Sequence, residues 1–369
     1  MLGCAILSAH ANFLSIYIFG DSVSATATNN ATGSATNFYY GKRYTNGRTW
    51  VEVLAQRQGL GANSITNVNW DYSSNNVSFY GQYSPVLVTN VAKFAAPSNA
   101  TNCLFVVWVC NADFVGDMSD PNVGDPGNAY HGTNIVAWTN AINHHLTNHF
   151  KAITNLYAKG CRTLIAPNAA DVTAVPQFNA APTGYLAFVR QRVISFNTNY
   201  AAMLKQISAG SPGLTIYVPD LFSLLNNVLT NAAAYGLTNA LSNGLSIDAV
   251  DSIPSVTVTN NPGTNYIFWD FTGDPTAKFG EIIADVVQQV ISPVQFSGVI
   301  YFNGTNRLNL TNVPVGLNGS VLSLTNLALA NWTTNLNFNS TNTSQPVFVP
   351  ATNRQQFYRL YFPYAWSWP

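Results

Sequence analysis

Charge is what this chain has least of. Asp, Glu, Lys and Arg make up 8% of its 369 residues, with fifteen basic residues balancing fifteen acidic ones. Folded proteins usually carry ~25%. A neutral, charge-poor chain has no electrostatic footprint for nucleic acid or for an anionic membrane. The four cysteines fall into no metal-binding spacing. Cys103 and Cys110 share one apolar run, and seven extended residues span more than ~20 Å, which excludes a mutual disulfide. Buried free thiols are expected there. No apolar run reaches the ~18 residues of a membrane span.

Apolar residues make up 47% of the chain, so a folded core is expected, in two or so domains. Asn and Thr take the place of the missing charges, which suits a protein working outside the cell. Residues 2–9 are mostly apolar, and Ala9-His10-Ala11 has the small-x-small pattern of a signal-peptidase site. Residues 1–11 are therefore expected to be the remnant of a signal peptide without its basic region. The rival reading is a buried first strand that begins early.

Strand and helix patterns alternate through the next 280 or so positions. Leu14–Phe19 is a short apolar run that ends in Gly20-Asp21-Ser22. Trp50–Gln58 has helical spacing, Asn67–Tyr72 reads as a second strand, and Cys103–Val109 is apolar on both faces, as a central parallel strand must be. Helices are predicted over Asn134–Ala158, Tyr185–Ile207 and Phe279–Val290, with strands at Arg162–Ala166 and Leu214–Val218. This order predicts an α/β protein with a parallel sheet and helices on both faces. After Ser292-Pro293 the pattern changes to short alternating runs broken by Asn, Gly and Pro, which predicts a small all-β module over 294–369.

The segment Phe19-Gly20-Asp21-Ser22-Val23-Ser24 resembles the first signature of the GDSL/SGNH hydrolases. Tyr39-Tyr40-Gly41, Thr45-Asn46-Gly47-Arg48 and Trp50-Val51-Glu52 extend the likeness to the lipase, phospholipase and haemolysin branch. Val218-Pro219-Asp220, Ala234–Asn239 and Phe268-Trp269-Asp270 follow in the family's order. The resemblance covers residues 13–291 and implies a three-layer α/β/α, flavodoxin-like SGNH domain at 12–292. The tail at 294–369 is similar to the small β-sandwich-like modules appended to secreted bacterial enzymes. Secretion, or a cell-surface or periplasmic place in a bacterium, is the expectation that follows.

By that resemblance Ser22 is the nucleophile, activated by a base, and backbone N–H groups at a strand-to-helix turn stabilise the oxyanion. The second signature reads Asn69–Asn75 and places Ser74 near the oxyanion glycine. The third reads Cys110-Asn111-Ala112-Asp113, where Asn111 either fills the oxyanion hole or ends the strand. The family's Asp-x-x-His-Pro-Thr becomes Asp270-Phe271-Thr272-Gly273-Asp274-Pro275-Thr276. Counting from Asp270 puts Gly273 at the histidine, and counting from Pro-Thr puts Asp274 there. Neither supplies an imidazole. Asp274 is either a weak base, its pKa raised by Asp270, or the cap of the final helix.

Other histidines have bland readings beside sharp ones. His131 lies in the Gly/Pro/Asp-rich loop of residues 116–133, as a surrogate base or as plain loop. His145 and His149 have zinc-like i,i+4 spacing but no accompanying glutamate, and read as a solvated helix face. Asp113, Asp117, Asp120 and Asp125 crowd the same region without the spacing of an EF-hand, and read as a mobile polar loop. Tyr358 and Trp332 read as module core or as sugar-stacking groups. The resulting expectation is a carboxylic ester hydrolase without cofactor or metal. Its substrate would be an ester-bearing small molecule, lipid or acylated glycan, hydrolysed through an acyl-Ser22 intermediate. Its rivals are an impaired relative that binds such ligands without turnover, and a surface-adhesion protein.

Overall fold

The structure, a computed structural model, describes residues 13–26, 39–41, 43–68, 83–119, 132–260, 262–329, 331–353 and 355–365. Residues 1–11, the Asn69–Asn75 signature with Ser74, and His131, Asp120 and Asp125 lie outside them.

Five parallel strands form the central sheet: β1 (Ile16–Gly20), β2 (Ile65–Asn67), β3 (Leu104–Trp108), β4 (Thr163–Ile165) and β5 (Thr215–Tyr217). Their order is β2-β1-β3-β4-β5, and β1 pairs with β3 in register from Ile16↔Leu104 to Gly20↔Trp108. Every residue of β3 is buried, which is why that strand reads as a continuous apolar run. β2 ends at Asn67, ahead of most of the segment expected to form it.

Helices cover the sheet: α1 (Trp50–Arg57), α2 (Ser84–Lys93), α3 (Cys110–Met118), α4 (Ile135–Ala158), α5 (Thr183–Gly210) and α6 (Leu221–Thr230). A two-stranded hairpin (β6, Leu241–Ser242; β7, Leu245–Ser246), the single turn α7 (Ala249–Ser252) and the final helix α8 (Ala277–Ile291) complete the α/β domain. Capping fixes two of the long helices. Asn134 accepts from the N–H groups of Val136 and Ala137 at the start of α4, and Thr276 accepts from Phe279 N at the start of α8. Asp274 is thus not the cap of the last helix; Thr276, two residues on, takes that role.

Beyond Pro293, two antiparallel three-stranded sheets pack around their own small core of Leu308, Leu310, Val321, Val347, Val349 and Phe362. One sheet runs β12-β9-β8 and the other β11-β10-β13. The strands are β8 (Gln295–Phe302), β9 (Thr305–Thr311), β10 (Gly319–Leu324), β11 (Thr333–Phe338), β12 (Ser344–Pro350) and β13 (Phe357–Tyr361). The fold is therefore α/β with a small C-terminal β domain. Tyr358 receives a hydrogen bond from Asn306 Nδ2 at 2.7 Å and packs against the module core, its bland reading.

Cys103, Cys110 and Cys161 are buried and unpaired, as the extended spacing of the first two required. Among the described residues no helix is long and apolar enough to cross a membrane.

Candidate active site

Ser22 opens a helical turn, Ser22–Ser24, directly after β1. The turn is pinned from several sides. Asp21 N donates to Trp108 O at 3.1 Å. Trp50 Nε1 donates to Ser24 Oγ at 3.1 Å, and Asn67 Nδ2 donates to Ser24 O at 2.9 Å. The N–H of a residue at the start of such a turn has no partner within it, so the Ser22 N–H is an available donor at the carboxyl end of the sheet.

The turn faces a cleft. Ser22, Asn111 and Asp274 all line it, together with Val115, Val175, Leu224, Leu225 and Phe279, so its polar groups gather on one side of an otherwise apolar wall. Asn111 does not end β3 as one reading had it; it sits in the first turn of α3, where its Oδ1 accepts from Ala170 N at 2.9 Å. That bond fixes the amide and leaves Nδ2 as its remaining donor.

Asp274 is 3% exposed. The Ser22 hydroxyl interacts with its carboxyl, although Oδ1 has no partner within normal hydrogen-bond geometry. Burial first, and then the charge of Asp270, pushes the Asp274 pKa well above the ordinary carboxylate range. Asp270 does not line the cleft. Its Oδ1 accepts from Thr272 N at 3.0 Å and from Thr272 Oγ1 at 2.6 Å, and its Oδ2 accepts from Tyr39 Oη at 2.8 Å. Thr272 Oγ1 also lies 3.3 Å from Asp274 Oδ2, so one hydroxyl bridges the two carboxyls. Asp270 thus organises the turn that presents Asp274 to Ser22. Burial raises the Asp270 pKa as well, against the hydrogen bonds from Thr272 and Tyr39.

Asp21 is a third acid in this group. Burial lifts its pKa to about 7, while backbone donors at Val23 and Ala112 pull the other way. Gly273, the other register for the family histidine, has φ +95° and a Cβ direction closed by Val175.

Two expectations for the helix-borne acids and histidines need correction. Asp113 and Asp117 are not in a polar loop; α3 extends to Met118 and buries both. His145 and His149 are not on a solvated face, because that side of α4 packs into the domain against Phe114, Phe196 and Tyr200. His145 holds structure together by charge, whereas burial lowers the His149 pKa to about 4. His145 Nε2 lies 2.9 Å from Asp117 Oδ2 and Nδ1 lies 3.6 Å from Asp113 Oδ2. Burial alone would lower the His145 pKa, but the two carboxylates outweigh it and raise the value to about 9. Ser84 Oγ sits 3.2 Å from Nδ1, which completes a Ser–His–Asp series away from Ser22. Ser84 is wholly buried and the imidazole is already protonated at neutral pH, so the series pins α2, α3 and α4 rather than activating a nucleophile. Among the described residues no group of three His, Cys, Asp or Glu side chains is placed to hold a metal ion.

No protein-family model matches the chain. Curated relatives do. A GDSL esterase/lipase of Arabidopsis thaliana is 24% identical over 73% of this chain and 80% of its own length. A second from the same plant is 20% identical over 75% of this chain and 89% of its own. An acetylesterase of Thermothelomyces thermophilus is 25% identical over 60% of this chain and 75% of its own.

These similarities support the GDSL/SGNH family for this chain.

Within the GDSL/SGNH pattern, the strand–turn nucleophile position and the Asp270 position are both occupied here. Neither Gly273 nor Asp274, the two positions counted for the family histidine, brings an imidazole. Asp274 is legible in the sequence, whereas Thr272 and Tyr39, which hold Asp270, carry no family signature for that role. The Thr in Asp270-Phe271-Thr272 was the available signal, since a hydroxyl two residues after an aspartate readily closes an Asx-type turn.

Proposed function

We propose that the chain is a carboxylic ester hydrolase in which Ser22 is the nucleophile and the Asp274 carboxylate is its base. The observation that carries this reading is Asp274 itself: a buried carboxyl with a raised pKa that lines the same cleft as Ser22. Ser22 Oγ attacks the ester carbonyl and its proton passes to Asp274. The tetrahedral oxyanion is held by the Ser22 N–H and Asn111 Nδ2. Collapse returns the proton from Asp274 to the departing alcohol and leaves acyl-Ser22. A water molecule, deprotonated by Asp274, then attacks the acyl group, releasing the acid and restoring Ser22. The raised pKa favours each return of the proton, because a base works best when its pKa lies near the working pH.

The wall of the cleft narrows the substrate. Val115, Val175, Leu224, Leu225 and Phe279 offer no hydrogen bonds to a sugar, so the acyl side is read as aliphatic. Each methylene placed there is stabilised by about 0.8 kcal/mol, roughly fourfold in binding. The charge-poor composition and the Ala9-His10-Ala11 pattern support export. The separate core of residues 294–369 supports treating them as an appended module.

A second reading has its own observation. Neither Gly273 nor Asp274 supplies an imidazole, which favours a relative that binds acyl ligands with little turnover. Hydrolysis of nitrophenyl acetate, butyrate and octanoate separates the two. The enzyme reading requires turnover that rises with chain length and vanishes in Ser22→Ala. Binding of the same esters without turnover would favour the second.

A further inference from the structure

Among the described residues, β8 presents an exposed apolar strand. Seven of its eight residues are exposed and it carries no charged residue. Tyr301 and Phe302 are 69% and 70% exposed, Val299 57%, Ile300 51% and Phe296 37%. β8 is the outer strand of its sheet, paired only with β9. Edge strands are normally guarded by a charge, a proline or a covering segment. No charge or proline guards this one.

The hairpin geometry shows which backbone groups face outward. Phe302 pairs with Thr305 across Asn303-Gly304, whose φ values are 46° and 77°. Two positive φ angles mark a type I′ turn, so Phe302 and Thr305 form the closing hydrogen-bonded pair. By the alternation of an antiparallel ladder, Ile300 also turns its N–H and C=O toward β9. Val299 and Tyr301 turn theirs to the open edge.

We propose that this edge is a homodimer interface, with β8 pairing antiparallel to β8 of a second copy of the chain. A twofold axis perpendicular to the sheet sets Ile300 opposite Ile300 of the other copy. In that register Val299 of each copy meets Tyr301 of the other, so all four outward-facing residues find ladder partners. The two three-stranded sheets become one six-stranded sheet with no exposed β8 edge.

Three observations favour a second copy as the occupant. An isologous contact sets every group near its own copy, so a charged strand would repel itself; β8 has no charge to do so. Among the described residues, the cation beside this strand is Arg307, paired with Ile300 on β9. Arg307 and its counterpart would be three strand spacings apart, about 14 Å, beyond the ~8–10 Å screening length. Apolar area is also available there. At roughly 150–200 Å² per large side chain, the exposed fractions leave roughly 500 Å² of apolar surface per copy. About 1,000 Å² for the pair is the ceiling of what the contact can remove from water, at the lower edge of specific interfaces.

The test uses the full-length chain in sedimentation velocity across a range from about 1 to 200 μM. A concentration-dependent monomer–dimer equilibrium is expected. Ile300→Lys, which sets two ammonium groups face to face on the axis, should weaken the dimer at least tenfold. Tyr301→Pro removes an outward N–H while sparing the β9 ladder, and should act in the same direction. Ile300→Cys gives a positive readout in a Cys4→Ser background. Directly opposed residues in a non-hydrogen-bonded pair have Cα atoms about 4.5 Å apart, within disulfide range. Copper-phenanthroline oxidation should then yield a covalent dimer, and Phe348→Cys, two strands away, should not. A chain that stays monomeric to 200 μM would overturn the proposal. So would a dimer indifferent to Ile300→Lys, open-ended oligomers, or cross-linking through Phe348→Cys in place of Ile300→Cys.

Discussion

A Cβ atom on Gly273 would lie 2.6 Å from Val175 Cγ1, and the backbone there has φ +95°. Of the two registers for the family histidine, the one counted from Asp270 therefore falls on a position closed to side chains. The other falls on Asp274, whose carboxyl lines the same cleft as Ser22.

Histidine scanning of the two positions should be asymmetric. Gly273→His is expected to lose about 2–6 kcal/mol, from left-handed strain together with overpacking against Val175. It should gain no activity. Asp274→His should fold and raise ester turnover at least tenfold, within the ~10²–10⁴ range of a general base. Its acid limb should fall near the ordinary imidazole value of about 6.5. Chemical denaturation and nitrophenyl ester kinetics check both. Equal tolerance at the two positions would remove the argument from Val175.

The pH profile tests Asp274 in the unaltered chain. A base must be deprotonated, so turnover should rise with pH through a pKa well above the ordinary carboxylate value. The charge of Asp21 is one of the influences raising that pKa. Asp21→Asn keeps the oxygen that accepts from Val23 N and removes only the charge, so it should move the acid limb to lower pH. Asp274→Asn should abolish the limb along with most of the activity. A limb that stayed in place in Asp21→Asn would assign the titration to another group.

Much of the fold was legible because its signals are local. β3 is apolar on both faces, α8 repeats its apolar residues at helical spacing, and the Ser292-Pro293 break precedes the module. α3 was not legible, since it begins only two residues after β3 and its acids look solvated in sequence. Their burial depends on His145, 28 and 32 positions away, which supplies the cation. The site shows the same division. Ser22 is announced by a strand and a turn, whereas the choice between Gly273 and Asp274 depends on a φ angle that no counting reveals.

The module meets the α/β domain beside a buried ion pair that belongs to the domain itself. Arg57 of α1 and Asp285 of α8 meet at 3.0 Å with side chains 4% and 0% exposed. Val315 N donates to Arg57 O at 3.1 Å, and Ala365 N donates to Asp285 Oδ2 at 2.9 Å. Asp285→Ala leaves the buried guanidinium with only the partly exposed Glu281, 3.3 Å away, as counter-charge, and should cost about 3 kcal/mol, the lower end for a broken buried pair. Residues 12–293 alone should still fold as a unit, since Arg57 and Asp285 keep each other. Their loss of stability should be smaller than that of Asp285→Ala, as water replaces the module's donors. Urea unfolding of the three chains ranks them, and a truncated chain less stable than Asp285→Ala would mean that the module belongs to the domain's own core.

His145 gives the stability of the chain a pH dependence of definite sign. Its pKa is raised to about 9 in the folded protein, against about 6.5 in the unfolded chain. The native state thus holds this proton more tightly, and the stabilisation is complete below about pH 6.5. It is lost as pH rises through about 9. Burial raises the Asp113 pKa to about 6, despite the opposing charge of His145, which adds a fall of the same sign between about pH 4 and 6. Melting temperature should therefore decline from pH 6.5 to 9.5. His145→Gln removes the titration but strands two buried carboxyls, so it should lower stability by about 3–5 kcal/mol near neutral pH. It should also flatten the decline across that window. Ser84→Ala, which removes a neutral neighbour of Nδ1, should leave the slope in place. A slope that survives His145→Gln unchanged would locate the pH dependence elsewhere, with Asp21 and its pKa of about 7 the next group to replace.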